Sequence, residues 1–385
     1  MANEILIVAG EASADLHAAH LVSELRRRDP SLSFFGVGGR ALAEQGVRIH
    51  VPAERLNVVG IADWRDRLKE VLGAYRSVKA EVRRCRPRVA ILLDLPDFNL
   101  RLAKFLKSQG VSVAYYISPQ VWAWRRYRVH TIRKYVDKML VVFPFEKAFY
   151  EAAGVEAVFV GHPLLEMLAP RGAARSQDAI AAAPRIALLP GSRLSELGYH
   201  AALLEALCEK LVAAYPTAEI RIPVASTLDE SMVRARIPHP RISLHADSRE
   251  VLAWADIACV ASGTATLETA LIGTPFCLFY RLGRTSTWIL KHLIRYRRFF
   301  GMPNILLGRE VVREFLLEKA TPDALFQECR WLLEKAAYRE GLGAELSRCR
   351  TLLGETGASA RAAKEVSELL KRQSPSEARL VPSMA

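Results

Sequence analysis

Short runs of apolar residues recur along the chain at a spacing that suits alternating strands and helices. In the first half these runs span residues 5–9, 89–93, 111–117, 139–143 and 157–160. The segments 14–27 and 68–85 carry an apolar residue every three or four positions, which predicts helices between the strands. Uninterrupted apolar strands separated by helices are typical of a parallel sheet covered on both faces.

The second half of the chain repeats this pattern. Its strand-like runs span residues 186–189, 220–224, 242–245, 257–261 and 276–280, and its helix-like segments span 199–214, 248–255 and 266–271. Each half starts with a strand, turns at a glycine (Gly10 or Gly191) and enters a helix. The predicted fold class is therefore α/β, with two doubly wound, Rossmann-like domains whose parallel sheets face a cleft.

The boundary between the halves has the composition of a linker at residues 170–177. We predict one domain over residues 1–165 and a second over 166–341. Helical segments follow at 322–335 and 344–370; those from 342 to 370 are expected to complete the first domain, with a partner chain as the alternative. The polar residues 373–385 are expected to form a flexible tail.

Bulk composition fits a folded protein of two domains. The chain has 385 residues, of which 51% are hydrophobic and 25% charged. The first strand is flanked by Glu4 and Glu11 rather than by a basic region, and the uncharged stretch 269–280 is shorter than the ~20 residues of a spanning helix. These features predict a cytoplasmic protein. The six cysteines and nine histidines show no metal-ligand spacing, so we predict reduced thiols and no metal.

The charge is strongly basic and unevenly distributed. A net charge of +13 indicates an anionic partner. No acidic residue lies between Glu268 and Glu310, where large apolar and aromatic residues, Trp288 among them, are interleaved with basic ones. The basic residues of this run are Arg281, Arg284, Lys291, Arg295, Arg297, Arg298 and Arg309. The run suits either contact with anionic lipid or a half-buried basic helix packed on the sheet.

The residues that follow the predicted strands are the candidates for ligand binding, because open α/β sheets bind ligands at the carboxyl ends of their strands. After the strand 257–261, Ser262, Gly263, Thr264 and Ala265 form a small-residue turn at a helix start. Its free backbone N–H groups and the helix dipole suit a phosphate. Glu268, one turn further, can accept hydrogen bonds from ribose hydroxyls, so this segment predicts a nucleotide site.

Arg193 follows a second glycine turn of the same domain. Its guanidinium can grip a diphosphate, and a cation at a helix start opposes the dipole, so an anion is expected nearby. In the first domain Glu11 and Asp15 occupy the corresponding turn, where acids repel phosphate. That domain is therefore expected to hold a sugar or a hydroxyl-bearing acceptor.

Asp94 ends the apolar strand 89–93, where desolvation would raise its pKa and make it a general base for a hydroxyl. The alternative is that Asp94 or Asp97 caps the following helix; Asp97 fits the cap better and Asp94 the base. Trp122 and Trp124 suit either the floor of a binding site or the core. The predicted acceptor-side residues are Ser13, Asp15, Asp97, Gln120 and Trp124.

Seven of these segments, in order and at consistent spacing, resemble the lipid A disaccharide synthases, a family of inverting glycosyltransferases of the GT-B type. They span 10–15, 94–99, 118–125, 143–150, 188–193, 261–268 and 303–304. The resemblance implies an inverting hexosyltransferase: UDP-2,3-diacylglucosamine donates its sugar to the 6-hydroxyl of 2,3-diacylglucosamine 1-phosphate, which gives UDP and a β-1,6 disaccharide 1-phosphate. It implies no cofactor, UDP as the leaving group and work at the inner face of the inner membrane of a Gram-negative-type bacterium. A homodimer is left open.

The resemblance also implies roles for individual residues. Asp94 would be the base, with Glu11 in the catalytic set; Arg193 and Glu268 would bind the donor nucleotide; and Asn304 would be a further essential residue. It shifts the run 279–300 toward membrane contact. Its predicted membrane-facing residues are Arg284, Trp288, Lys291, Arg295, Arg297 and Arg298.

The chain departs from the family pattern at two places. Ala14 replaces the second glycine of the first turn, which restricts that position to φ < 0. Residues 57–72 are more polar than the corresponding hydrophobic patch of the family.

Rival enzymes on the same fold are a UDP-N-acetylglucosamine 2-epimerase and the muramyl-pathway transferase, which fold alone does not separate. A nucleic-acid-binding protein is the rival from another class. No recognised motif supports it, and Glu11 and Asp15 argue against it, so no nucleic-acid partner is predicted.

Overall fold

The computed structural model describes residues 4–56, 64–123, 125–225, 227–282 and 299–372, with side chains from residue 69 onward in the second range. The strands are β1 Glu4–Ala9, β2 Ser33–Gly38, β3 Arg48–Pro52, β4 Val89–Leu93, β5 Ser112–Tyr116, β6 Lys138–Val141, β7 Ala157–Phe159, β8 Arg185–Leu189, β9 Glu219–Pro223, β10 Ile242–His245, β11 Ile257–Ala261, β12 Phe276–Tyr280 and β13 Glu314–Leu316.

The helices are α1 Ala12–Arg28, α2 Arg40–Glu44, α3 Trp64–Cys85, α4 Pro96–Ser108, α5 Arg128–Tyr135, α6 Pro144–Glu151, α7 Leu164–Met167, α8 Gln177–Ala182, α9 Leu194–Ala214, α10 Glu230–Arg236, α11 Ser248–Trp254, α12 Thr264–Ile272, α13 Met302–Leu307, α14 Pro322–Glu334, α15 Ala336–Leu352 and α16 Ala358–Arg372. The chain divides into two units, of which the first is Met1–Pro163 with Glu355–Ala385 and the second is Leu164–Gly354.

The first unit is built on a parallel sheet with the strand order β3-β2-β1-β4-β5-β6-β7. Every residue of Ile5–Ala9 and Val89–Leu93 is fully buried, as expected where apolar strands are covered on both faces. The strand order reverses between β1 and β4, and Ala9 pairs with Leu93 at their carboxyl ends. In doubly wound sheets this reversal is where ligands bind.

The second unit has a parallel sheet with the order β10-β9-β8-β11-β12-β13. Its order reverses between β8 and β11, which pair up to Leu189 and Val260. The segments that follow these two strands are the predicted phosphate-binding turns.

We predicted that the helical segments from residue 342 to 370 complete the first domain. In the structure the two C-terminal helices belong to different units. Helix α15 packs on α12 and α14 and so belongs to the second unit, whereas α16 packs on α1 of the first. Gly354 and Gly357, with φ of 86° and 93°, separate the two helices. The return to the first unit therefore starts at Glu355.

Candidate functional site

The carboxyl ends of β1 and β4 bring Gly10, Glu11, Asp94 and Leu95 together in the first unit. A Cβ atom at Gly10 would lie 1.7 Å from Leu95 Cδ1, so a larger residue at this position would displace the Leu95 side chain. The absence of a side chain at Gly10 lets the β4 turn lie directly against the β1 turn. The strand reversal thus places two acidic residues side by side.

Asp94 has the electrostatic environment expected of a general base. Burial, and secondly the charge of Glu11, raise its pKa to about 6. Asp94 and Leu95 both have left-handed backbone conformations, with φ of 55° and 42°. The Asp94 carbonyl accepts hydrogen bonds from Asn99 Nδ2 and the Tyr115 hydroxyl. The backbone of this residue is therefore held from two sides.

Asp97 does not cap the helix that follows, so the predicted cap is wrong. Helix α4 starts at Pro96, its N-cap residue is Leu95, and Asp97 lies in the first turn. The Asp97 side chain is 72% exposed and pairs with Arg125 and Arg128. Proline suits the first position of a helix, which explains the earlier start.

The two acidic residues at the start of α1, Glu11 and Asp15, lie in different environments. Glu11 is half-buried at the N-cap, and Ser13 is exposed. Asp15 is buried, and its two carboxylate oxygens accept the N–H groups of Gly39 and Ala41 at 2.6 and 2.9 Å. Asp15 thus fixes the start of α2, a structural role that the prediction of acceptor contact did not include.

Ala14 lies inside α1 and is buried. A right-handed helix accepts alanine, so this departure from the family glycine is compatible with the fold.

The segment after β5 is organised by Glu146, which lies in the family-like segment 143–150 but received no role in the sequence analysis. Ser118 Oγ and Trp122 Nε1 donate to Glu146 Oε1 at 2.5 and 3.0 Å, and the Phe143 N–H donates to Oε2 at 3.2 Å. Burial raises the pKa of Glu146 to about 7. Trp122 is consequently part of the core, while Gln120 is exposed. Trp124 lies outside the described residues.

The second unit presents the start of α12 at the end of β11. Gly263 is the N-cap with φ of 150°, a conformation that favours glycine, and among the described residues no atom beyond its two chain neighbours lies within 4 Å of where its Cβ would be. The N–H groups of Thr264 and Ala265, in the first turn, have no acceptor within the helix. Glu268 is half-buried, and burial raises its pKa. Within the described part of the chain, this turn is therefore open on the side of the Gly263 Cβ position.

Arg193 lies at the adjacent strand end, as the N-cap residue of α9. Its side chain is 63% exposed, and its Nη1 lies 3.3 Å from Glu196 Oε1. Glu196 Oε2 also accepts the N–H groups of Ser192 and Arg193, at 3.1 and 3.3 Å. The expected anion near Arg193 is present within the protein, because Glu196 supplies it.

His200 supports this turn and was not predicted. Its Nδ1 lies 2.7 Å from the Pro190 carbonyl, and Nε2 accepts the Arg281 N–H at 3.1 Å. The carbonyl partner requires the proton on Nδ1, so the neutral ring satisfies both contacts. Burial lowers the pKa of His200, which favours this neutral form. The histidine links the β8 turn to the residue that follows β12.

Asn304 is completely buried, whereas a side chain that contacts substrate has to be accessible. Its Nδ2 donates to the Val312 carbonyl and to Glu314 at 2.7 and 2.8 Å. Its Oδ1 accepts the N–H groups of Val311 and Val312 at 2.8 and 2.9 Å. Every polar atom of the amide is used within the protein, so the structure gives Asn304 a positioning role.

The basic run 279–300 is described only at its ends. Phe279 is fully buried in β12 and is a core residue, which corrects its inclusion in a lipid-facing surface. The N–H groups of Phe300 and Gly301 donate to Glu314. The predicted membrane-facing residues Arg284, Trp288, Lys291, Arg295, Arg297 and Arg298 lie outside the described residues. No helix in the described ranges combines the length and apolarity needed to cross a bilayer.

Three of the predicted reduced thiols meet in the core of the second unit. Cys259 Sγ lies 3.2 Å from Cys329 Sγ and 3.5 Å from Cys277 Sγ. The neighbouring thiols and burial raise the pKa of Cys259. Hydrogen bonds with Cys259 and Cys277 lower the pKa of Cys329 to about 5, so the three thiols differ in the protonation state that they favour.

Comparison with known proteins identifies the family. The family described as lipid-A-disaccharide synthetase matches residues 5–366. The chain belongs to the lipid-A-disaccharide synthetase family. It is 41% identical to the lipid-A-disaccharide synthase of Myxococcus xanthus over 95% of this chain and 97% of that protein. It is 40% identical to that of Koribacter versatilis over 96% and 99%. Members of this family are glycosyltransferases of lipid A biosynthesis.

Solved structures show the fold. The UDP-GlcNAc 2-epimerase of Neisseria meningitidis bound to UDP-GlcNAc matches 96% of this chain and 100% of its own, with TM-score 0.64 and 11% identity. The calicheamicin glycosyltransferase matches 97% and 99%, with TM-score 0.63 and 17% identity. The synthetase family member described here therefore has the α/β, GT-B type fold.

Proposed function

We propose that this protein transfers 2,3-diacylglucosamine from UDP-2,3-diacylglucosamine to the 6-hydroxyl of 2,3-diacylglucosamine 1-phosphate, with inversion. The products are the β-1,6-linked disaccharide 1-phosphate and UDP. The observation that carries the proposal is the carboxylate of Asp94 at the strand reversal of the first unit, in a chain of this family. A base with a pKa near 6 is deprotonated at neutral pH and still able to accept a proton.

In the proposed step the acceptor O6 attacks the anomeric carbon while its proton passes to Asp94. The bond between the anomeric carbon and the UDP oxygen breaks, and UDP leaves with the electron pair. Attack from the face opposite to UDP inverts the configuration. The neighbouring charge of Glu11 disfavours a second negative charge and so strengthens proton uptake by Asp94.

The departing diphosphate needs positive charge that is already in place. We assign this to Arg193 and to the N–H groups at the start of α12, with Glu268 accepting the ribose hydroxyls. Fixed donors of this type stabilise developing charge without reorganisation. We propose that they make a metal ion unnecessary, so turnover should persist in excess EDTA.

Both proposed substrates carry acyl chains, so the enzyme must reach them at a membrane. We propose that the basic and aromatic residues between Arg281 and Phe300 contact anionic lipid on the inner face of the inner membrane. Binding to vesicles with anionic phospholipid, compared with neutral vesicles, tests this assignment. Equal binding to both would contradict it.

The reaction is tested by incubating the purified protein with each substrate alone and with both. UDP release that requires both substrates, with formation of the β-linked disaccharide seen by NMR, is the expected result. UDP release or epimerisation with the donor alone would favour the epimerase alternative. Asp94→Ala should lose turnover by about 10³-fold while the fold is retained; near-normal turnover would exclude Asp94 as the base.

A further inference from the structure

We propose that Asn99 and Tyr115 are positioning residues that hold the Asp94 carboxylate in its reactive orientation. They act on the backbone of Asp94 and not on the substrate. This inference rests on the proposed function, because it explains the conformation of the turn by the role of Asp94 as the general base.

The turn after β4 is strained. Asp94 and Leu95 are consecutive non-glycine residues with φ of 55° and 42°. Aspartate tolerates this region, but a bulky residue such as Leu95 rarely adopts it. Such conformations cost roughly 1–3 kcal/mol each and persist only when the surroundings impose them. Here the conformation of the turn is imposed by Asn99, Tyr115 and the side chain of Leu95.

Asn99 holds the turn from the side of α4. Its Nδ2 donates to the carbonyls of Leu93 and Asp94, at 2.9 and 2.7 Å. Both partners are acceptors, so the amide nitrogen must face them. Asn99 is fully buried, and its Oδ1 has no hydrogen-bond partner among the described residues. The side chain is thus used for its donor alone, at the cost of an unsatisfied oxygen.

Tyr115 holds the same carbonyl from the neighbouring strand. Its hydroxyl donates to the Asp94 oxygen from within β5, where the ring is fully buried. The Asp94 carbonyl therefore accepts two donors from two different elements. Its peptide plane, and with it the backbone from which the Asp94 side chain projects, is held by α4 and β5 together.

Leu95 closes the third side. Its side chain covers Gly10 so closely that no Cβ fits there, and it packs against the apolar core of the first unit. This keeps the turn against β1, and the half-buried Asp94 carboxylate in an environment where burial and the charge of Glu11 raise its pKa. If the turn relaxed, the carboxylate would become more solvated and a weaker base.

The test compares Tyr115→Phe and Asn99→Ala with the native protein. Tyr115→Phe keeps the buried ring and removes only the donor. Tyr75→Phe is the matched control, since its hydroxyl donates to the Arg101 carbonyl at 3.2 Å on another part of the same unit. Steady-state kinetics are measured from pH 4.5 to 9, with the melting temperature of each variant.

We expect kcat to fall about tenfold in Tyr115→Phe and up to about a hundredfold in Asn99→Ala, with KM for both substrates within about twofold. The acidic limb of the pH profile should move below its native position near pH 6, because the carboxylate gains solvent. Tyr75→Phe should change neither. A loss of stability alone would not move this limb.

Unchanged kcat and pH profile in a folded Tyr115→Phe variant would overturn the proposal, even if Asn99→Ala failed to fold. A crystal structure of Tyr115→Phe provides a readout without turnover: an unmoved Asp94–Leu95 turn would also contradict it. Asp94→Asn separates the two hypotheses. If that variant stays active, Asp94 is not the base, and if the native protein does not release UDP with both substrates present, the proposed function fails. In either case the crystal structure still reports on the turn.

Discussion

Asp94 combines a chemical advantage with a cost in stability. Its raised pKa of about 6, against about 3.9 for a free aspartate, means that the folded state binds the proton more tightly than the unfolded state. Stability contributed by this group therefore falls as the pH rises from about 4 to about 6, and the cost persists above that. A residue retained despite such a cost is typical of a functional site.

The first prediction tests whether Asp94 favours turnover at the expense of stability. Asp94→Asn removes the buried negative charge next to Glu11, so the melting temperature at pH 8 should rise while turnover falls by about 10³-fold. The rise should shrink at pH 4.5, where the native carboxyl is protonated. Calorimetry at both pH values with an activity assay checks it. A lower melting temperature at pH 8 would show that the charge is not a net cost.

The second prediction concerns the turn that carries Arg193. Gly191 has φ of 104°, and a Cβ there would lie 2.4 Å from Glu196 Oε2. Gly191→Ala should therefore displace Glu196 and weaken UDP binding at least about tenfold, as measured by calorimetry. Gly198→Ala is the control, because Gly198 lies in α9 with nothing within 4 Å of its Cβ position. It should stabilise the protein by about 0.5–1 kcal/mol and leave UDP affinity unchanged.

Sequence reasoning located the strand ends but not the polar partners within them. Asp94, Arg193 and the α12 start follow from the alternation of strands, since parallel sheets bring carboxyl ends to one edge. Asp15, Glu196 and Asn304 are satisfied by backbone groups that are distant in sequence or by turns whose shape the pattern does not specify. A polar residue at a strand end therefore has two roles that only the folded structure separates.

At the level of elements, α13 shows how a polar residue near a strand can hold the backbone and not a ligand. Its Asn304 ties the helix to Val311 and Val312 and to Glu314, which in turn accepts the N–H groups of Phe300 and Gly301. The amide thus joins α13, the segment before β13 and the end of the basic run. Such a residue affects activity through the shape of the unit and not through contact with substrate.

The third prediction follows from this network. Asn304→Ala leaves several buried backbone groups unpaired and should cost about 2–4 kcal/mol of the free energy of unfolding. Denaturant titration measures the loss, which should accompany any fall in turnover. A fall of 10³-fold in kcat with unchanged stability would instead restore Asn304 as a residue that contacts substrate.

The elements missed by the sequence analysis are those with weak apolar patterns. The strands β2, β3 and β13 were not predicted: β2 contains Gly36 and Gly38, β3 is an edge strand that ends at Pro52, and β13 has three residues. Long central strands are buried on both faces and read as uninterrupted apolar runs, whereas edge strands need not. Their positions are dictated by pairing with the central strands.

At the level of the whole molecule, the chain completes its first unit with its last helix. Arg361 Nε in α16 donates to the Val160 carbonyl at 2.8 Å, and Lys138 in β6 pairs with Glu365 at 2.7 Å. Val366 in α16 is fully buried, and this helix packs on α1. The first unit therefore needs residues from both ends of the chain, a long-range dependence that no local pattern predicts.

The fourth prediction tests that dependence in the full-length protein. Val366→Asp places an unpaired charge on the buried face of α16 and should destabilise the first unit by about 4 kcal/mol or more. Hydrogen exchange should then accelerate in β1, β4 and α1, while β8, β11 and α9 keep their protection because they belong to the second unit. Lys364→Ala is the control, because it changes the net charge by the same amount at an exposed position of the same helix. This variant should leave both units protected. Equal loss of protection in both units would mean that they unfold as one cooperative body, and that α16 stabilises the whole chain and not its first unit alone.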